Sequence, residues 1–356
     1  MKIKAITFQN YKRFLQSRTF SFTDSDGVVN EKTLIIGNNG TGKSSILQAI
    51  VILLASAVRE KFDPKKLDWP GFEYRYLQTG QLPLKIEAEI IFDDDEIEAT
   101  QKYANHLKEM GVKLLSLPAS YKSVKLFFDY QKNKAVARGP KEVFYQFSGY
   151  QYAKRLASLT PQKNLLFKNI GNIYWYTEQR NSHNITTLLD GKASQLDDIR
   201  NFLASAYNYH IAVQQKERTI KEGEFDFYDK FEQLYKKVFP DRSFVGSSPR
   251  FDIYEQAKAP DFFLYDGHSQ YEISGMSAGE RAIFPILMDF TRWNINNSVI
   301  IIDELELHLH PPLQQTLVRA LSEIGHNNQF IFTTHSNSVV TMFDESENQI
   351  IRLPNE

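Results

Sequence analysis

The feature that most constrains this chain is a glycine-rich segment near its N-terminus, which runs from Gly37 to Ser44 and reads GNNGTGKS. The spacing G-x-x-x-x-G-K-S lets backbone N–H groups wrap around phosphate oxygens, while the lysine reaches the phosphates and the serine hydroxyl can ligate Mg²⁺. The apolar stretch Thr33–Ile36 precedes the segment, and apolar residues at helical spacing follow from Ser45. Strand, loop and helix in this order predict a triphosphate site on an α/β fold.

A second candidate for the site is an acidic pair, Asp303 and Glu304, which directly follows the apolar stretch Val299–Ile302. Four β-branched apolar residues predict a buried strand, and open α/β sheets bind ligands at the carboxyl ends of their strands. Asp303 is therefore a candidate to hold Mg²⁺ through water, and Glu304 a candidate general base for the attacking water. Because acidic pairs commonly end strands, this interpretation depends on the phosphate loop elsewhere in the chain.

A third segment, Met276–Arg281, supports two interpretations. Ser277 and Glu280 lie three residues apart, which is the spacing of a capping box at the start of a helix. A helix N-terminus that carries a serine and a glycine permitting close approach, here Gly279, is also a phosphate site. A second phosphate site is redundant within one subunit, but it is useful if it faces the γ-phosphate held by another copy.

Composition excludes several classes of protein. The 356 residues include 42 Lys and Arg against 43 Asp and Glu, so a uniformly basic surface is excluded, although a local basic patch is not. The absence of cysteine excludes disulfides, cysteine-ligated zinc, iron–sulfur clusters and thiol catalysis. The first ten residues contain no apolar signal region, and the apolar run Ala49–Val58 is too short to span a bilayer. We therefore expect a cytoplasmic protein with no membrane partner.

Strands and helices alternate at both ends of the chain, whereas the middle is mixed. Outside the segments above, strands are predicted at Lys2–Phe8, Leu84–Phe92, Val124–Tyr130, Ile173–Tyr176, Phe330–Thr333 and Ile350–Leu353, with a hairpin around Asp266 and Gly267. Helices are predicted over Glu96–Met110, within Gln195–Val238, and from Ser277 and Pro311. We predict an α/β nucleotide-binding fold over 1–95 and 250–356, a mixed sheet flanked by helices, split by a mainly helical insertion over 96–249.

Four segments in this order resemble the ATPase heads of the SMC, RecF and OLD-like group of ABC-type P-loop NTPases: GNNGTGKS, MSAGE, IIIDELELHLHP and FIFTTHS. The opening ITFQNYKRF, residues 6–14, also resembles the first strand and turn of those heads. The resemblance covers 1–92 and 250–356 and leaves the middle outside it. It implies a head that binds ATP with Mg²⁺, hydrolyses ATP, and forms a homodimer with ATP between the two copies.

The resemblance also implies roles for single residues of the first three motifs. Phosphate contacts fall on Asn38, Asn39, Gly40, Thr41, Gly42, Lys43, Ser44 and Ser45, and Lys43 also has a catalytic role. The Mg²⁺ ligands are Ser44 and Asp303, and Glu304 is catalytic. In the partner copy, Ser277, Gly279 and Glu280 contact the same ATP.

Further residues match the family with alternatives left open. His335 matches the switch histidine at the γ-phosphate. Gln179 matches a glutamine that contacts the attacking water and Mg²⁺, although it is also interpreted as an ordinary polar residue at a strand end. Lys12 and Arg13 match positions near the nucleotide, with a solvated turn as the alternative.

The run Glu306, His308 and His310 resembles a loop at the dimer interface, and metal chelation by its histidines lacks a third ligand. Leu305 replaces a proline of many relatives, which affects only the stiffness of the loop. Asp93–Asp95 are interpreted as a cap and turn before a helix.

The stretch Gln151–Arg180 carries five basic residues against one acidic residue, with aromatic residues between them. Lys154, Arg155, Lys163, Lys168 and Arg180 are balanced only by Glu178. Basic residues interleaved with aromatic ones can bind DNA or RNA. A solvated face is the alternative interpretation.

The family resemblance leaves the biological process open. The chain has neither the C-x-x-C motif nor the long coiled coils of zinc-hook repair enzymes, and the 21 residues after His335 leave no room for the nuclease domain of OLD-like nucleases. We therefore expect a stand-alone ATPase head that switches a separately encoded effector, nuclease or toxin-like, in anti-phage defence or DNA processing. The alternatives are a RecF-type repair ATPase, a non-hydrolysing ATP sensor or scaffold, and the ATPase subunit of a membrane transporter.

Overall fold

A computed structural model describes residues 1–77, 83–159, 165–179, 195–221, 223–250, 259–343 and 349–354. The chain forms two compact units. The first unit comprises 1–179, 295–306 and 325–356, and the second comprises 180–294 and 307–324. No helix within the described residues is both long and apolar enough to cross a membrane.

The elements are numbered along the chain. The strands are β1 (Lys2–Gln9), β2 (Arg18–Ser21), β3 (Lys32–Ile36), β4 (Lys85–Ile91), β5 (Ser123–Asp129), β6 (Lys134–Ala137), β7 (Ile173–Tyr176), β8 (Ser243–Ser248), β9 (Asp261–Tyr265), β10 (Gln270–Glu272), β11 (Val299–Ile302), β12 (Gln329–Thr333) and β13 (Ile350–Arg352). The helices are α1 (Lys43–Val58), α2 (Asp94–Glu109), α3 (Lys141–Tyr145), α4 (Gly149–Leu159), α5 (Gln195–Gln214), α6 (Phe227–Val238), α7 (Ala278–Trp293), α8 (Pro311–Ser322) and α9 (Asn337–Val340).

The first unit contains a five-stranded parallel sheet in the order β13-β3-β12-β11-β7. Ile301 of β11 lies opposite Ile331 of β12 on one side and opposite Trp175 of β7 on the other. Every residue of β7, β11 and β12 is buried, which explains why these strands read as continuous apolar runs rather than alternating ones. The α/β fold with a P-loop sheet that the sequence predicts is thereby confirmed.

A second sheet in this unit is antiparallel, in the order β2-β1-β4-β5-β6. Helix α1 contacts strands of both sheets, since it packs against β4 and β6 as well as β7 and β12. All residues from Ile46 to Ala55 are buried, so the helix is apolar on every side. This placement fixes the N-terminus of α1, where the phosphate loop ends, at the carboxyl end of the parallel sheet.

The second unit combines the antiparallel sheet β10-β9-β8 with helices α5 to α8. The hairpin predicted around Asp266 and Gly267 is present, with Tyr265 of β9 opposite Gln270 of β10. Aromatic rings form its core: the ring of Phe231 on α6 lies 5.0 Å from the rings of both Phe244 and Phe284.

The compact units do not follow the predicted boundaries at 95 and 250. Residues 96–179 belong to the first unit, because β5 and β6 extend its antiparallel sheet and β7 pairs with β11. The helical stretch predicted over Gln195–Val238 consists of two helices, α5 and α6, and Lys216 adopts a positive φ of 60° between them. Strands β2, β6 and β8 were not predicted.

Candidate nucleotide-binding site

The phosphate loop connects β3 to α1 and depends on its glycines. Gly40 and Gly42 have φ angles of 77° and 98°, which favour glycine. A Cβ on Gly42 would lie 2.8 Å from Cζ of Phe14 and 2.9 Å from Cδ of Arg13, so no larger residue fits. The backbone N–H of Thr41 donates to the carbonyl of Asn38 at 3.2 Å and closes the loop. The loop therefore has the tight turn that phosphate binding requires.

Lys43 is the first residue of α1, and its side chain folds back over the loop. Its Nζ donates to the carbonyl oxygens of Gly37 at 2.9 Å and Asn38 at 3.2 Å. Burial lowers the pKa of Lys43, and the nearby carboxylates of Asp303 and Glu304 oppose that shift. The ammonium group thus lies where phosphate oxygens could replace the two carbonyls as its acceptors.

Asp303 follows β11, is 2% exposed, and has donors on both carboxylate oxygens. Its Oδ1 accepts from the hydroxyl of Ser44 at 3.3 Å and from the hydroxyl of Thr333 at 2.5 Å. Its Oδ2 accepts from Nε1 of Trp69 at 3.1 Å. A hydroxyl and a carboxylate this close are the hard oxygen ligands that a divalent cation such as Mg²⁺ prefers. Ser44 and Asp303 therefore fit the metal site predicted for them.

Glu304 is half-buried beside Asp303 and has a φ of 49°. Its backbone N–H donates to the hydroxyl of Thr333 at 2.7 Å. Burial raises the pKa of the Glu304 carboxyl, and the negative charges of Asp303 and Glu178 add to the shift. A carboxylate with a raised pKa is a stronger base, as expected of a group that accepts a proton from water.

Glu306 determines the conformation of the turn that carries His335. Its carboxylate accepts from the hydroxyl of Thr334 at 2.6 Å and from the backbone N–H of His335 at 2.5 Å. The His335 side chain is exposed and lies close enough to Glu304 to oppose the rise in its pKa. The structure thus brings His335 to the same end of the sheet as the acidic pair.

Gln179 lies three residues beyond β7, and its side chain is exposed. Strand β7 neighbours β11, and the backbone N–H of Asp303 donates to the carbonyl of Tyr176 at 2.9 Å. The charge of Glu178, the preceding residue, reaches Glu304. The segment is therefore at the right edge of the sheet, and a contact of Gln179 with water or metal stays a prediction.

Lys12 and Arg13 have different surroundings. The guanidinium of Arg13 donates to the carbonyl of Gly40 in the phosphate loop. Lys12 donates to Oε1 of Gln48 at 2.5 Å and to the carbonyl of Gly71 at 3.1 Å, and burial lowers its pKa to about 8. Both residues thus stabilise the loop or its supporting helix, whereas their contact with a nucleotide stays a prediction.

In the second unit, the capping box predicted at the start of α7 is present. The hydroxyl of Ser277 accepts from the backbone N–H of Glu280 at 3.2 Å, and the Glu280 carboxylate accepts from the backbone N–H of Ser277 at 2.9 Å. The same carboxylate accepts from Tyr235 at 3.1 Å, from Arg242 at 3.2 Å, and from the Tyr271 hydroxyl. Glu280 thus holds the start of the helix, and its contact with the ATP of a second copy stays a prediction.

Ser277 and Gly279 both lie at the start of α7. The Ser277 side chain is exposed at the helix N-terminus. A Cβ on Gly279 would lie 3.2 Å from the carbonyl oxygen of His308, so the glycine permits a close approach of two backbone segments. Their role toward ATP of a second copy stays a prediction.

The remaining predictions concern charged groups outside the site. No group of three or more His, Asp or Glu side chains that could hold a metal occurs in the described part of the chain, and the role of His308 and His310 stays a prediction. Asp93 lies at the N-cap position of α2, and its side chain accepts from the Asn327 side chain rather than from the helix backbone.

Within the basic stretch, Lys154, Arg155 and Lys168 are exposed, whereas Lys163 and Arg180 lie outside the described residues. The aromatic residues of this stretch are buried or half-buried. Tyr152 is 7% exposed, and the rings of Tyr150 and Phe167 pack against each other at 5.4 Å. The exposed groups that a nucleic acid would meet on this surface are therefore mainly the charged ones.

Three residues that were not predicted from the sequence also contribute to the site: Trp69, Thr333 and Gln48. Thr333 could have been found, because it lies in the motif FIFTTHS at the end of a predicted strand. No sequence pattern marks Trp69, whose partner Asp303 is 234 residues away.

A parallel sheet with a phosphate loop after β3 and an acidic pair after β11 defines an ABC-type P-loop nucleotide-binding head. The chain belongs to the AAA ATPase domain family, whose model matches residues 1–340. This membership agrees with the resemblance to SMC and RecF-type heads.

Similar proteins include two named as retron ATPases. The chain is 23% identical to "Retron Vc95 probable ATPase" of Vibrio cholerae serotype O1 biovar El Tor, over 99% of this chain and 73% of that protein. It is 24% identical to "Retron Ec83 probable ATPase" of Escherichia coli, over 97% of this chain and 70% of that protein. Septu protein PtuA of Bacillus mycoides (strain KBAB4) is 22% identical over 94% of this chain, which spans 38% of its length.

Among solved structures, an SMC head bound to the C-winged helix domain of ScpA has a similar fold. It aligns with a TM-score of 0.51 at 15% identity, covering 95% of this chain and 91% of that one. This likeness supports the fold of the head.

Proposed function

We propose that the protein binds ATP with Mg²⁺ at the site in the first unit and hydrolyses it. The observation that carries the proposal is the group of side chains around Asp303: the Ser44 hydroxyl lies 3.3 Å from its carboxylate, and Glu304 is held beside it. Lys43 neutralises charge on the phosphates, and the backbone of the phosphate loop donates to their oxygens. Ser44 and Asp303 would hold the Mg²⁺, which would supply positive charge to offset the charge of the phosphates.

The remaining steps belong to the acidic and imidazole groups. Glu304 orients the attacking water and accepts its proton, for which its raised pKa suits it. His335 lies at the same end of the sheet and donates to the transferred phosphate. The carboxylate of Glu306 accepts a hydrogen bond from the backbone N–H of His335 and so holds this residue in place.

We further propose that ATP joins two copies of the chain head to head. Ser277 and Gly279 of one copy contact the γ-phosphate bound by the other, at the N-terminus of α7, where the helix dipole favours an anion. The capping box and its partners Tyr235, Arg242 and Tyr271 hold this helix start in the shape such a contact requires. ATP then acts as a ligand that stabilises the dimer and is removed by hydrolysis.

The dimer is proposed to switch a separate effector, nuclease or toxin-like, in anti-phage defence. Two relatives are named as retron ATPases and a third as a Septu protein, which supports a role in defence rather than in transport. The segment 96–249 is the proposed partner or nucleic-acid surface, because every predicted ATPase motif except Gln179 lies outside it.

The test is phosphate release by the purified protein with Mg²⁺ and ATP, together with size-exclusion chromatography with and without ATP. We expect release of phosphate and an ATP-dependent shift to twice the monomer mass. Binding of ATP without any phosphate release, with DNA or the effector present as well, would instead identify a non-hydrolysing sensor.

A further inference from the structure

Trp69 belongs to none of the motifs above, yet its side chain contacts the proposed metal site. It lies in the connection between α1 and β4 and is 3% exposed. Its indole Nε1 donates to Oδ2 of Asp303 at 3.1 Å, while Ser44 and Thr333 donate to the other oxygen, Oδ1. The two oxygens of this carboxylate therefore have separate sets of partners.

The segment that carries Trp69 is attached to the helix that carries Ser44. Gln48 lies one turn beyond Ser44 on α1, and its Nε2 donates to the carbonyl of Pro70 at 3.2 Å. Lys12 donates both to Oε1 of Gln48, at 2.5 Å, and to the carbonyl of Gly71, at 3.1 Å. These bonds fix the indole relative to the N-terminus of α1.

We propose that Trp69 is a positioning residue for the Mg²⁺ site. Its N–H fixes the rotation of the Asp303 carboxylate about its last side-chain bond, a torsion with broad preferences, and keeps Oδ1 directed at Ser44. It also stabilises the charge of a carboxylate that is almost fully buried. This inference rests on the proposed function, since it assumes that Ser44 and Asp303 hold Mg²⁺ with ATP.

The chemistry of the indole suits this role. Its N–H is a donor only, so it satisfies Oδ2 without competing with Asp303 for the cation. Removal of a group that hydrogen-bonds to a metal ligand typically lowers the metal affinity by about 10–100-fold. If the Trp69 ring only filled space, the variant Trp69→Phe would keep the metal affinity, since phenylalanine fills most of the same volume.

The test is the variant Trp69→Phe, with ATP affinity measured by equilibrium dialysis in Mg²⁺ and again in EDTA. We expect the ATP affinity in EDTA to stay unchanged, and the Mg²⁺ concentration that gives half-maximal binding to rise about tenfold. Trp293→Phe is the matched control, because the buried Nε1 of Trp293 has no hydrogen-bond partner within the described residues. The control should bind Mg²⁺ and ATP as the wild type does.

The outcomes separate this inference from the proposed function. If the wild type shows no Mg²⁺-dependent ATP binding, the proposed function fails. If the wild type shows it and Trp69→Phe has the same Mg²⁺ dependence, the positioning role is overturned.

A fluorescence measurement covers the case in which Trp69→Phe does not fold. With Trp175 and Trp293 replaced by Phe, Trp69 is the only tryptophan of the chain. Addition of Mn²⁺ to the ATP complex should quench the emission of Trp69, because the indole contacts the Asp303 carboxylate that is proposed to hold the cation. Unchanged emission with ATP and Mn²⁺ bound would overturn the inference.

Discussion

Thr333, the last residue of β12, donates its hydroxyl to Oδ1 of Asp303, the residue after β11, across 2.5 Å. The same hydroxyl accepts the backbone N–H of Glu304 at 2.7 Å. One side chain therefore links the ends of two neighbouring strands and holds both members of the acidic pair. The orientation of Glu304 depends on β12 as well as on its own strand.

The variant Thr333→Val removes this hydroxyl while keeping the shape of the side chain. We expect the free energy of unfolding to fall by about 1–3 kcal/mol, because a backbone N–H loses its acceptor and a buried carboxylate loses a donor. Phosphate release should fall as well, with ATP affinity less affected. Denaturant unfolding and steady-state turnover measure the two effects.

Thr33→Val is its control. Thr33 lies in β3 of the same sheet, and its buried hydroxyl has no hydrogen-bond partner within the described residues. This variant should be as stable as the wild type or more so. Equal losses in both valine variants would show that the hydroxyl of Thr333 contributes nothing specific.

Glu304→Gln should bind ATP with normal affinity and lose turnover by about 10²–10⁴-fold, because it removes the general base while the metal site stays. The ATP-bound dimer should then accumulate on size-exclusion chromatography. Turnover at the wild-type rate in this variant would rule out Glu304 as the base.

Ser277→Arg should bind ATP nearly as the wild type does, yet neither dimerise nor hydrolyse ATP, since the arginine would obstruct the contact with the second copy. Lys43→Ala should instead lose binding. A mixture of the two variants can rebuild at most one composite site, so partial activity in the mixture supports action across the dimer. A fully active, monomeric Ser277→Arg would leave only the helix-capping role.

Replacing Lys154, Arg155, Lys163 and Lys168 with glutamine should weaken DNA binding or effector binding, while basal ATP hydrolysis stays unchanged. Because the contact is electrostatic, wild-type affinity for DNA should also fall steeply with salt. Replacing the exposed residues Lys102, Lys108 and Lys113 with glutamine controls for charge on the same unit. If DNA binding, effector co-purification and DNA-stimulated hydrolysis all match the wild type, this stretch is a solvated face.

The parts of the site that could be predicted from sequence are those with local causes. The phosphate loop is formed by eight consecutive residues, and the capping box at Ser277 by two residues three positions apart. The apolar run before Asp303 predicts a strand that is buried on both faces. Their positions agree with the structure to within a few residues.

The parts that could not be predicted depend on contacts between distant segments. Trp69 meets Asp303 only because the connection after α1 folds back over the sheet. Glu280 is engaged by Tyr235 and Arg242, which come from the segment outside the resemblance. Composition and periodicity carry no information about such pairs, since neither residue type nor spacing marks them.

The strand order β13-β3-β12-β11-β7 also determines when the site can form during synthesis. The phosphate loop leaves the ribosome early, but β12, which neighbours its strand, ends at Thr333. Contacts of such long sequence separation form late, and a growing chain carries unpaired strand edges until they do. Nascent chains that stop before β12 should therefore fail to retain ATP, which links the acquisition of nucleotide to the synthesis of this strand.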